Sequence, residues 1–306
     1  MIKYAVVFSG QGSERVGMLN DFIKESEMLK RTLSSLSAVV PDNIDKIIAS
    51  SDSAVITKNN QILLLLFHKL MSDCIIEKIG YPPQLCMGHS FGQFSAIVRS
   101  GAVALSDMVT FVLARTKTIN DPRIQVKAYF KSIHGITLEA FKTLYEEENL
   151  QGNIELALHN QAEQIVVAVT AEGELILKEL AIKHNYMLKD INVSRPFHTH
   201  FMDEFNACLQ PHIDALPFIT ANIPVLVNNS LALITNTEAL KAESRIQMIV
   251  PVFWYESIIA ASKQVDAFVI VDPSDTQFKI IKRIAHGKIH NVNNFGVLNM
   301  IEKRGL

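Results

Sequence analysis

The sequence predicts an α/β fold, in which a hydrolase-like core with a parallel sheet is interrupted by a small ferredoxin-like (α+β) domain. Short apolar runs alternate with helical patterns toward both ends of the chain, which is typical of parallel sheets covered by helices. A G-x-S-x-G sequence lies between one such run and a helical pattern. Between residues 123 and 195 the pattern changes to strand-helix-strand-strand-helix-strand, which is the order of ferredoxin-like domains.

The first strand is predicted at residues 5–8, a β-branched and aromatic run that stops at the turn-forming residues 9–13. A helix is expected over residues 62–70, because Asn59 and Asn60 can open it. Residues 84–87 are a second apolar run that ends at Gly88, and we interpret them as a second buried strand. After Gly92, apolar residues recur at helical spacing on either side of residues 100–101, which predicts two helices.

The same patterns divide the rest of the chain. In the inserted segment, strands are predicted at 126–133, 154–158, 165–169 and 186–193, and helices at 138–144 and 172–184. Beyond it, strands are predicted at 223–227 and 267–271, and helices at 202–209, 256–263 and 277–285. We therefore assign residues 1–122 and 196–306 to the core and residues 123–195 to the inserted domain.

Composition argues against several classes of protein. The 29 Lys and Arg residues nearly balance the 31 Asp and Glu residues, without the long charge runs typical of nucleic-acid or membrane-surface binding. The densest apolar run, residues 62–67, is far shorter than the roughly 18 apolar residues that span a bilayer. The three cysteines have no CxxC spacing, and residues 1–8 lack the features of a secretory signal. We expect a cytoplasmic monomer with no bound metal or cofactor.

Ser90 is the candidate nucleophile. It lies in Gly88-His89-Ser90-Phe91-Gly92, where small residues on both sides allow the sharp strand-to-helix turn that exposes a serine hydroxyl near a helix N-terminus. An ordinary strand-to-helix turn is the alternative. Serine needs a neighbouring base, and His198 is the strongest of ten histidines because its Pro-containing segment joins the inserted domain to the core. Chain position alone leaves His200 as a rival.

Arg115 is the candidate anion-binding residue. It falls within the apolar pattern of the second helix after the turn, where a buried guanidinium requires an anionic partner. A carboxylate on a substrate matches the planar guanidinium through two parallel hydrogen bonds. The alternative is a surface arginine whose stem covers apolar neighbours.

Three motifs resemble those of the malonyl-CoA:acyl carrier protein transacylase family, including the free-standing acyltransferases of polyketide assembly lines. Residues 8–13 resemble the opening FPGQGS of the family, residues 88–92 its GHSxG, and Phe197-His198 with Met202 its FHSxxM. The resemblance covers nearly the whole chain. It implies that a malonyl-type group is transferred from coenzyme A to the phosphopantetheine arm of an acyl carrier protein. The coenzyme A thioester would be a substrate and not a bound cofactor.

The resemblance also implies residue roles. Ser90 would be the nucleophile, His198 the base, and the backbone amides of Gln11 and Phe91 the oxyanion hole. The substrate-binding positions implied by the family are Arg115 for the carboxylate, with Gln61, Asn160 and Phe197 around the acyl pocket.

The chain departs from the family at several positions. Val250 and Phe253 replace the asparagine and glutamine of NPVQW, and that glutamine is expected to orient the histidine through its main chain. Asp272 introduces a carboxylate where the family has EVGPG, and with Asp203 it is a possible orienter of His198. These differences suggest a specialised pathway, such as polyketide biosynthesis. An editing hydrolase of acyl carrier proteins, a generic α/β-hydrolase and a non-catalytic carrier-binding subunit remain alternatives.

Overall fold

A computed structural model describes residues 1–25, 27–191, 193 and 195–301. In this part of the chain the strands are β1 (Tyr4–Phe8), β2 (Leu85–Gly88), β3 (Tyr129–His134), β4 (Ile154–Gln161), β5 (Gln164–Val169), β6 (Met187–Ile191), β7 (Val225–Leu226), β8 (Leu233–Ile234), β9 (Val252–Phe253), β10 (Ala267–Val271) and β11 (Lys288–Asn291). Residues 192 and 194, close to the predicted end of the inserted domain, lie outside the described residues.

Helices surround these strands. In chain order they are α1 (Asn20–Glu25), α2 (Glu27–Ser35), α3 (Ile44–Ile48), α4 (Ser53–Lys58), α5 (Asn60–Ile79), α6 (Gly92–Arg99), α7 (Leu105–Ile119), α8 (Leu138–Glu147), α9 (Ala171–His184), α10 (Asp203–Asp214), α11 (Thr237–Ile246), α12 (Trp254–Ser262), α13 (Thr276–Ile284) and α14 (Phe295–Leu298). The 3-10 helix His200–Met202 precedes α10. None of the helices in the described ranges is both long and apolar enough to cross a bilayer.

The larger sheet has six strands in the order β11-β10-β1-β2-β7-β8. Neighbouring strands in this sheet pair in parallel, except for β7 and β8, which pair antiparallel. Strand β1 is buried on both faces, because Val6 and Phe8 belong to one apolar cluster and Ala5 and Val7 to the other. Burial on both faces explains why this strand is a continuous apolar run without alternation. The carboxyl ends of β1 and β2 lie side by side, at Phe8 and Gly88.

The second sheet has five strands in the order β6-β3-β5-β4-β9. Strand β3 pairs antiparallel with both β5 and β6, β4 pairs antiparallel with β5, and β9 joins β4 in parallel from a later part of the chain. Thr137 and Thr170 immediately precede helices α8 and α9 and cap them, because their hydroxyls accept backbone N–H groups of the first helical turn. A separate apolar cluster forms the core of this sheet and its helices.

Several elements differ from their predicted lengths. Helix α5 extends to Ile79, well past the predicted residue 70, and ends where Gly80 adopts a left-handed backbone with φ 82°. Its middle is buried on all sides, so the residues lack the amphipathic period that would have marked its end. Helices α1–α4 were not predicted. Strand β7 is shorter than the predicted 223–227, with Pro224 immediately before it.

Candidate active site

The turn between β2 and α6 presents Ser90. Its backbone has φ 52°, in the left-handed region that a non-glycine residue adopts only when the surrounding structure enforces it. Gly88 and Gly92 make the turn possible: a Cβ on Gly88 would lie 2.1 Å from the Gly92 carbonyl, and one on Gly92 would lie 2.4 Å from the oxygen of Phe8. Ser90 therefore stands at the carboxyl end of the sheet, beside the N-terminus of α6.

Replacing Gly88 by alanine is expected to destabilise the protein by about 3 kcal/mol, at the upper end of overpacking costs, because the new methyl group would overlap the peptide group between Gly92 and Gln93, which cannot move independently of α6. Urea unfolding measures the loss. Gly296→Ala is the control, since its Cβ would meet a single atom, Asn294 Oδ1, at 3.1 Å and no backbone atom. Equal unfolding midpoints for Gly88→Ala and the unchanged protein would contradict the described packing.

His198 contacts Ser90 directly. The Ser90 Oγ lies 2.6 Å from His198 Nε2, and the other ring nitrogen, Nδ1, lies 2.9 Å from the carbonyl oxygen of Gln247. Because a carbonyl only accepts hydrogen bonds, Nδ1 carries the proton and Nε2 is free to accept from the serine. The backbone of His198 has φ 67° and its N–H donates to the Met248 carbonyl at 2.7 Å, so the segment 247–248 holds both the ring and the main chain.

The structure removes other candidates for the base and its orienter. His200 is half exposed and pairs with Glu155, away from Ser90. Asp203 is exposed in the first turn of α10. Asp272 is buried, but it accepts hydrogen bonds from the backbone of residues 274 and 277 at the start of α13. It therefore stabilises a helix start.

The expectation that the main chain of residue 253 orients the histidine is wrong. The Phe253 carbonyl accepts a hydrogen bond from the Ser257 hydroxyl at 2.7 Å, and its N–H donates to the Asn228 carbonyl at 3.0 Å. The orienting carbonyl belongs to Gln247, six positions earlier in the chain. The replacement of the family glutamine by Phe253 consequently leaves the Ser90–His198 contact intact.

The environment keeps the His198 imidazole neutral. Burial lowers the pKa of His198 to about 3, and the neighbouring His89 and Arg115 act in the same direction, while hydrogen bonds to the backbone of Gln247 and Val250 oppose the shift. A neutral imidazole with a free Nε2 can take the serine proton without first losing one of its own.

Two backbone N–H groups lie free beside Ser90. The N–H of Ser90 itself donates to Asn228 Oδ1 at 3.0 Å and that of Gly92 to the His89 carbonyl at 2.9 Å. Among the described residues, by contrast, no acceptor is found for the N–H groups of Gln11 and Phe91. The Gln11 loop is adjacent to the turn that carries Ser90, because a Cβ on Gly10 would lie 3.6 Å from the Ser90 Cβ. Such paired donors suit an oxygen that gains negative charge.

Arg115 is a buried cation for which the described residues provide no anion. It is 2% exposed, and its Nε and Nη1 atoms lack a hydrogen-bond partner within the described part of the chain. Three aromatic rings surround its Cζ atom: Phe197 at 5.2 Å, Phe91 at 5.8 Å and Phe94 at 5.9 Å from the ring centroids. Burial lowers the pKa of Arg115 to about 10, so the group stays charged at neutral pH. An unpaired buried guanidinium is costly unless a ligand completes it.

The other predicted pocket residues take different positions. Phe197 packs over Arg115, as described. Gln61 is fully buried and donates to the Gln11 side chain at 3.4 Å, while its own Oε1 has no partner among the described groups. Asn160 accepts a hydrogen bond from His89 Nε2 at 3.0 Å, so its side chain bonds the residue before Ser90 and not Ser90 itself.

Sequence reasoning missed Asn228, Gln93 and Gln247. Asn228 fixes the Ser90 backbone, and its own N–H donates to Gln93 Oε1 at 3.1 Å. Asn228 follows β7, the strand parallel to β2, and polar residues at the carboxyl ends of neighbouring parallel strands meet at one edge. That signal was present in the sequence. The Gln247 carbonyl carries no side-chain signal at all.

Together these groups can carry out acyl transfer: a hydroxyl nucleophile, a neutral base, two free backbone donors and a cation for an anionic acyl group. The sequence pattern of the acyl transferase domain family matches residues 5–274. The chain belongs to this acyl transferase family. The family predicted from three motifs is thus confirmed, and the protein is an acyltransferase.

Similar proteins agree with this assignment. The acyltransferase is 29% identical over 293 residues to a malonyl CoA-acyl carrier protein transacylase of Bacillus subtilis strain 168, covering 93% of this chain and 91% of the relative. It is 26% identical to an acyl-carrier-protein S-malonyltransferase of Burkholderia pseudomallei, with a TM-score of 0.89 over 100% of both chains. A malonyl CoA-acyl carrier protein transacylase of Coxiella burnetii, 23% identical, has the same fold, with a TM-score of 0.90 over 99% of this chain and 98% of the other.

Proposed function

We propose that this acyltransferase moves a malonyl-type group from coenzyme A to the phosphopantetheine thiol of an acyl carrier protein through an ester on Ser90. The observation that carries the proposal is the buried Arg115, whose Nε and Nη1 have no partner among the described residues. It packs on the rings of Phe91 and Phe197, which adjoin Ser90 and His198 in the chain. A free carboxylate on the acyl group would complete the guanidinium. The relatives from Bacillus subtilis and Burkholderia pseudomallei are named as transferases of a malonyl group, which carries such a carboxylate.

The first half-reaction forms the acyl-enzyme. Ser90 Oγ attacks the thioester carbonyl while His198 Nε2 takes its proton, and the N–H groups of Gln11 and Phe91 stabilise the tetrahedral oxyanion. His198 then gives the proton to the departing coenzyme A sulfur. In the second half-reaction the carrier thiol loses its proton to His198 and attacks the ester carbonyl. The bond between the acyl group and Ser90 Oγ then breaks, and His198 returns the proton to Ser90 Oγ. A backbone carbonyl in place of an acid suffices to hold the imidazole, so the pair works as a dyad. No bound cofactor takes part in these steps.

For the architecture, we propose a hydrolase-like core with an inserted ferredoxin-like domain at residues 123–195. The strand order β6-β3-β5-β4 with antiparallel pairing supports the second part, and the parallel order around β1 and β2 supports the first. We also propose a specialised biosynthetic pathway, such as polyketide assembly, on the basis of the departures at Val250, Phe253 and Asp272.

The direct experiment offers the protein malonyl-CoA with and without a holo carrier protein. We expect malonyl-carrier to form and little free malonate to appear. Release of malonate at a rate unaffected by the carrier would instead identify an editing hydrolase. Absence of both products and of any acyl-enzyme, with the Ser90 and His198 side chains intact, would favour a non-catalytic binding subunit.

The acid side of the pH profile is expected to be displaced. Because the pKa of His198 is lowered to about 3, the neutral base remains the main form as the pH falls through the ordinary histidine value. The rate constant for Ser90 acylation, measured by rapid quench, should therefore stay level from pH 8 to about pH 5. Circular dichroism at each pH separates chemistry from unfolding. A loss of half the rate near pH 6.5 in folded protein would contradict the described environment of His198.

A further inference from the structure

A buried chain of polar side chains lies behind the nucleophile and is not used by the mechanism above. Ser95 Oγ is 2.9 Å from His68 Nδ1, and His68 Nε2 is 3.1 Å from Ser9 Oγ. Ser9 Oγ is in turn 2.7 Å from Ser13 Oγ, which is 2.7 Å from the Gly10 carbonyl oxygen. All four side chains are 5% exposed or less. We call this set, Ser95-His68-Ser9-Ser13, the buried relay.

The direction of the relay follows from its last member. A carbonyl oxygen can only accept, so the Ser13 hydroxyl proton points to Gly10 and Ser13 Oγ must accept from the Ser9 hydroxyl. Ser9 Oγ then accepts from Nε2–H of His68, which leaves Nδ1 to accept from Ser95. Every hydroxyl proton and both ring nitrogens are satisfied in this single arrangement. Burial lowers the pKa of His68 to about 3, in agreement with a neutral ring.

The relay ends on the peptide group whose N–H is a proposed oxyanion donor. The Gly10 carbonyl and the Gln11 N–H belong to one planar peptide unit, so a hydrogen bond that fixes the oxygen also fixes the direction of the N–H. The same bond polarises the peptide and makes its N–H a stronger donor. His68 lies on α5 and Ser95 on α6, whose N-terminal end provides the Phe91 N–H. The relay therefore connects the loop that carries the Gln11 N–H to the helix that follows the Phe91 N–H.

We propose that Ser13 and His68 are positioning residues, which orient and polarise the Gly10–Gln11 peptide toward the oxyanion that forms at Ser90. The proposal rests on the proposed function, because it takes the Gln11 N–H as an oxyanion donor. It adds a source of catalytic power in a part of the core that does not touch the substrate. His68 is the central member, because it lies on α5 and its two ring nitrogens contact Ser9, in the segment before Gln11, and Ser95 of α6.

The variants Ser13→Ala and His68→Leu test the relay, because each interrupts it while keeping a similar volume. We expect the rate constant for Ser90 acylation by malonyl-CoA to fall by about 10- to 100-fold, with an unchanged half-saturating concentration, since the misdirected donor acts mainly in the transition state. His68→Gln should retain most of the rate, because its Nε2–H can still donate to Ser9. Ser72→Ala is the matched control: Ser72 is equally buried on α5, but its hydroxyl donates to the Lys69 carbonyl, its one partner among the described residues.

A second reagent separates this proposal from the proposed function. A fluorophosphonate probe phosphonylates an activated serine and places its P=O oxygen in the oxyanion hole without any malonyl group. Equal labelling rates of Ser90 in the unchanged protein, Ser13→Ala and His68→Leu would overturn the relay, whether or not malonyl-CoA is a substrate. If malonyl-CoA does not acylate the unchanged protein, but the probe labels both variants more slowly than the unchanged protein, the malonyl function is overturned and the relay is supported.

Nuclear magnetic resonance of protein with 15N-labelled histidine tests the direction of the relay without any substrate. We expect His68 to be neutral at pH 6, with its proton on Nε2. A proton on Nδ1 would contradict the arrangement, because Nε2 could then no longer donate to Ser9. The Ser9 hydroxyl would donate to Nε2 instead of to Ser13.

Discussion

His198→Ala is expected to slow acylation of Ser90 by about a thousandfold to ten-thousandfold, the range typical of losing a general base that is hydrogen-bonded to its nucleophile. The 2.6 Å contact between Ser90 Oγ and His198 Nε2 is the physical reason, since a serine without a base keeps its proton at neutral pH. Rapid-quench measurement of acyl-enzyme formation gives the rate constant. Substrate binding should change little, because Arg115 remains in place.

His200→Ala is the matched control for this prediction. It removes an imidazole two residues away that is half exposed and paired with Glu155, so the acylation rate should stay within about twofold of the original, as surface substitutions away from the site usually leave function and stability nearly unchanged. If the two alanine variants lost activity equally, the assignment of His198 as the base would be wrong.

Arg115→Ala is expected to lower acylation by malonyl-CoA by about 30- to 3,000-fold, while acylation by acetyl-CoA changes far less. Truncating one partner of a buried charge pair costs about 2–5 kcal/mol, and each 1.4 kcal/mol is about tenfold. The acetyl group carries no carboxylate, so it cannot pair with the guanidinium. The measurement is the ratio of the two acylation efficiencies in the same preparation.

Arg115→Lys separates charge from geometry in this prediction. Lysine keeps the positive charge but cannot form two parallel hydrogen bonds to a carboxylate, so it should recover only part of the malonyl preference. Thermal unfolding of both variants checks that the cluster of aromatic rings around position 115 still packs. If Arg115→Ala lowered the acylation efficiency equally for malonyl-CoA and acetyl-CoA, Arg115 would not be the residue that binds the carboxylate.

The nucleophile turn and the buried arginine could be anticipated because their signals are local. Gly88 and Gly92 border Ser90 within five residues, and the backbone contacts that require them arise within the same turn and its neighbouring strand. Arg115 stands inside an apolar helical pattern, where the cost of burying a charge is visible in the sequence itself. In both cases the residue type and its close neighbours determine the environment.

The rest of the site depends on contacts that no local pattern specifies. Asn228 reaches the Ser90 backbone across 138 positions of the chain, and the relay joins Ser9 to His68 across 59 positions. The orienter of His198 is a main-chain oxygen, which every residue has, so residue type could not distinguish Gln247 from Phe253. Only the path of the chain at residues 247–248 decides it.

The short helices α1–α4 were missed for a different reason. They span five to nine residues each, too short for an apolar period to stand out. Helices of this length are marginal alone and form because they pack on the core. Residues such as Phe22, Leu29 and Ile47 provide that packing.

The central claim is that Ser90 carries the acyl group, and intact-mass spectrometry after brief exposure to malonyl-CoA tests it most directly. We expect the unchanged protein to gain the mass of one malonyl group, with peptide mapping placing it on the segment that contains Ser90, and we expect Ser90→Ala to gain none. A malonyl adduct of equal yield on Ser90→Ala would contradict the account.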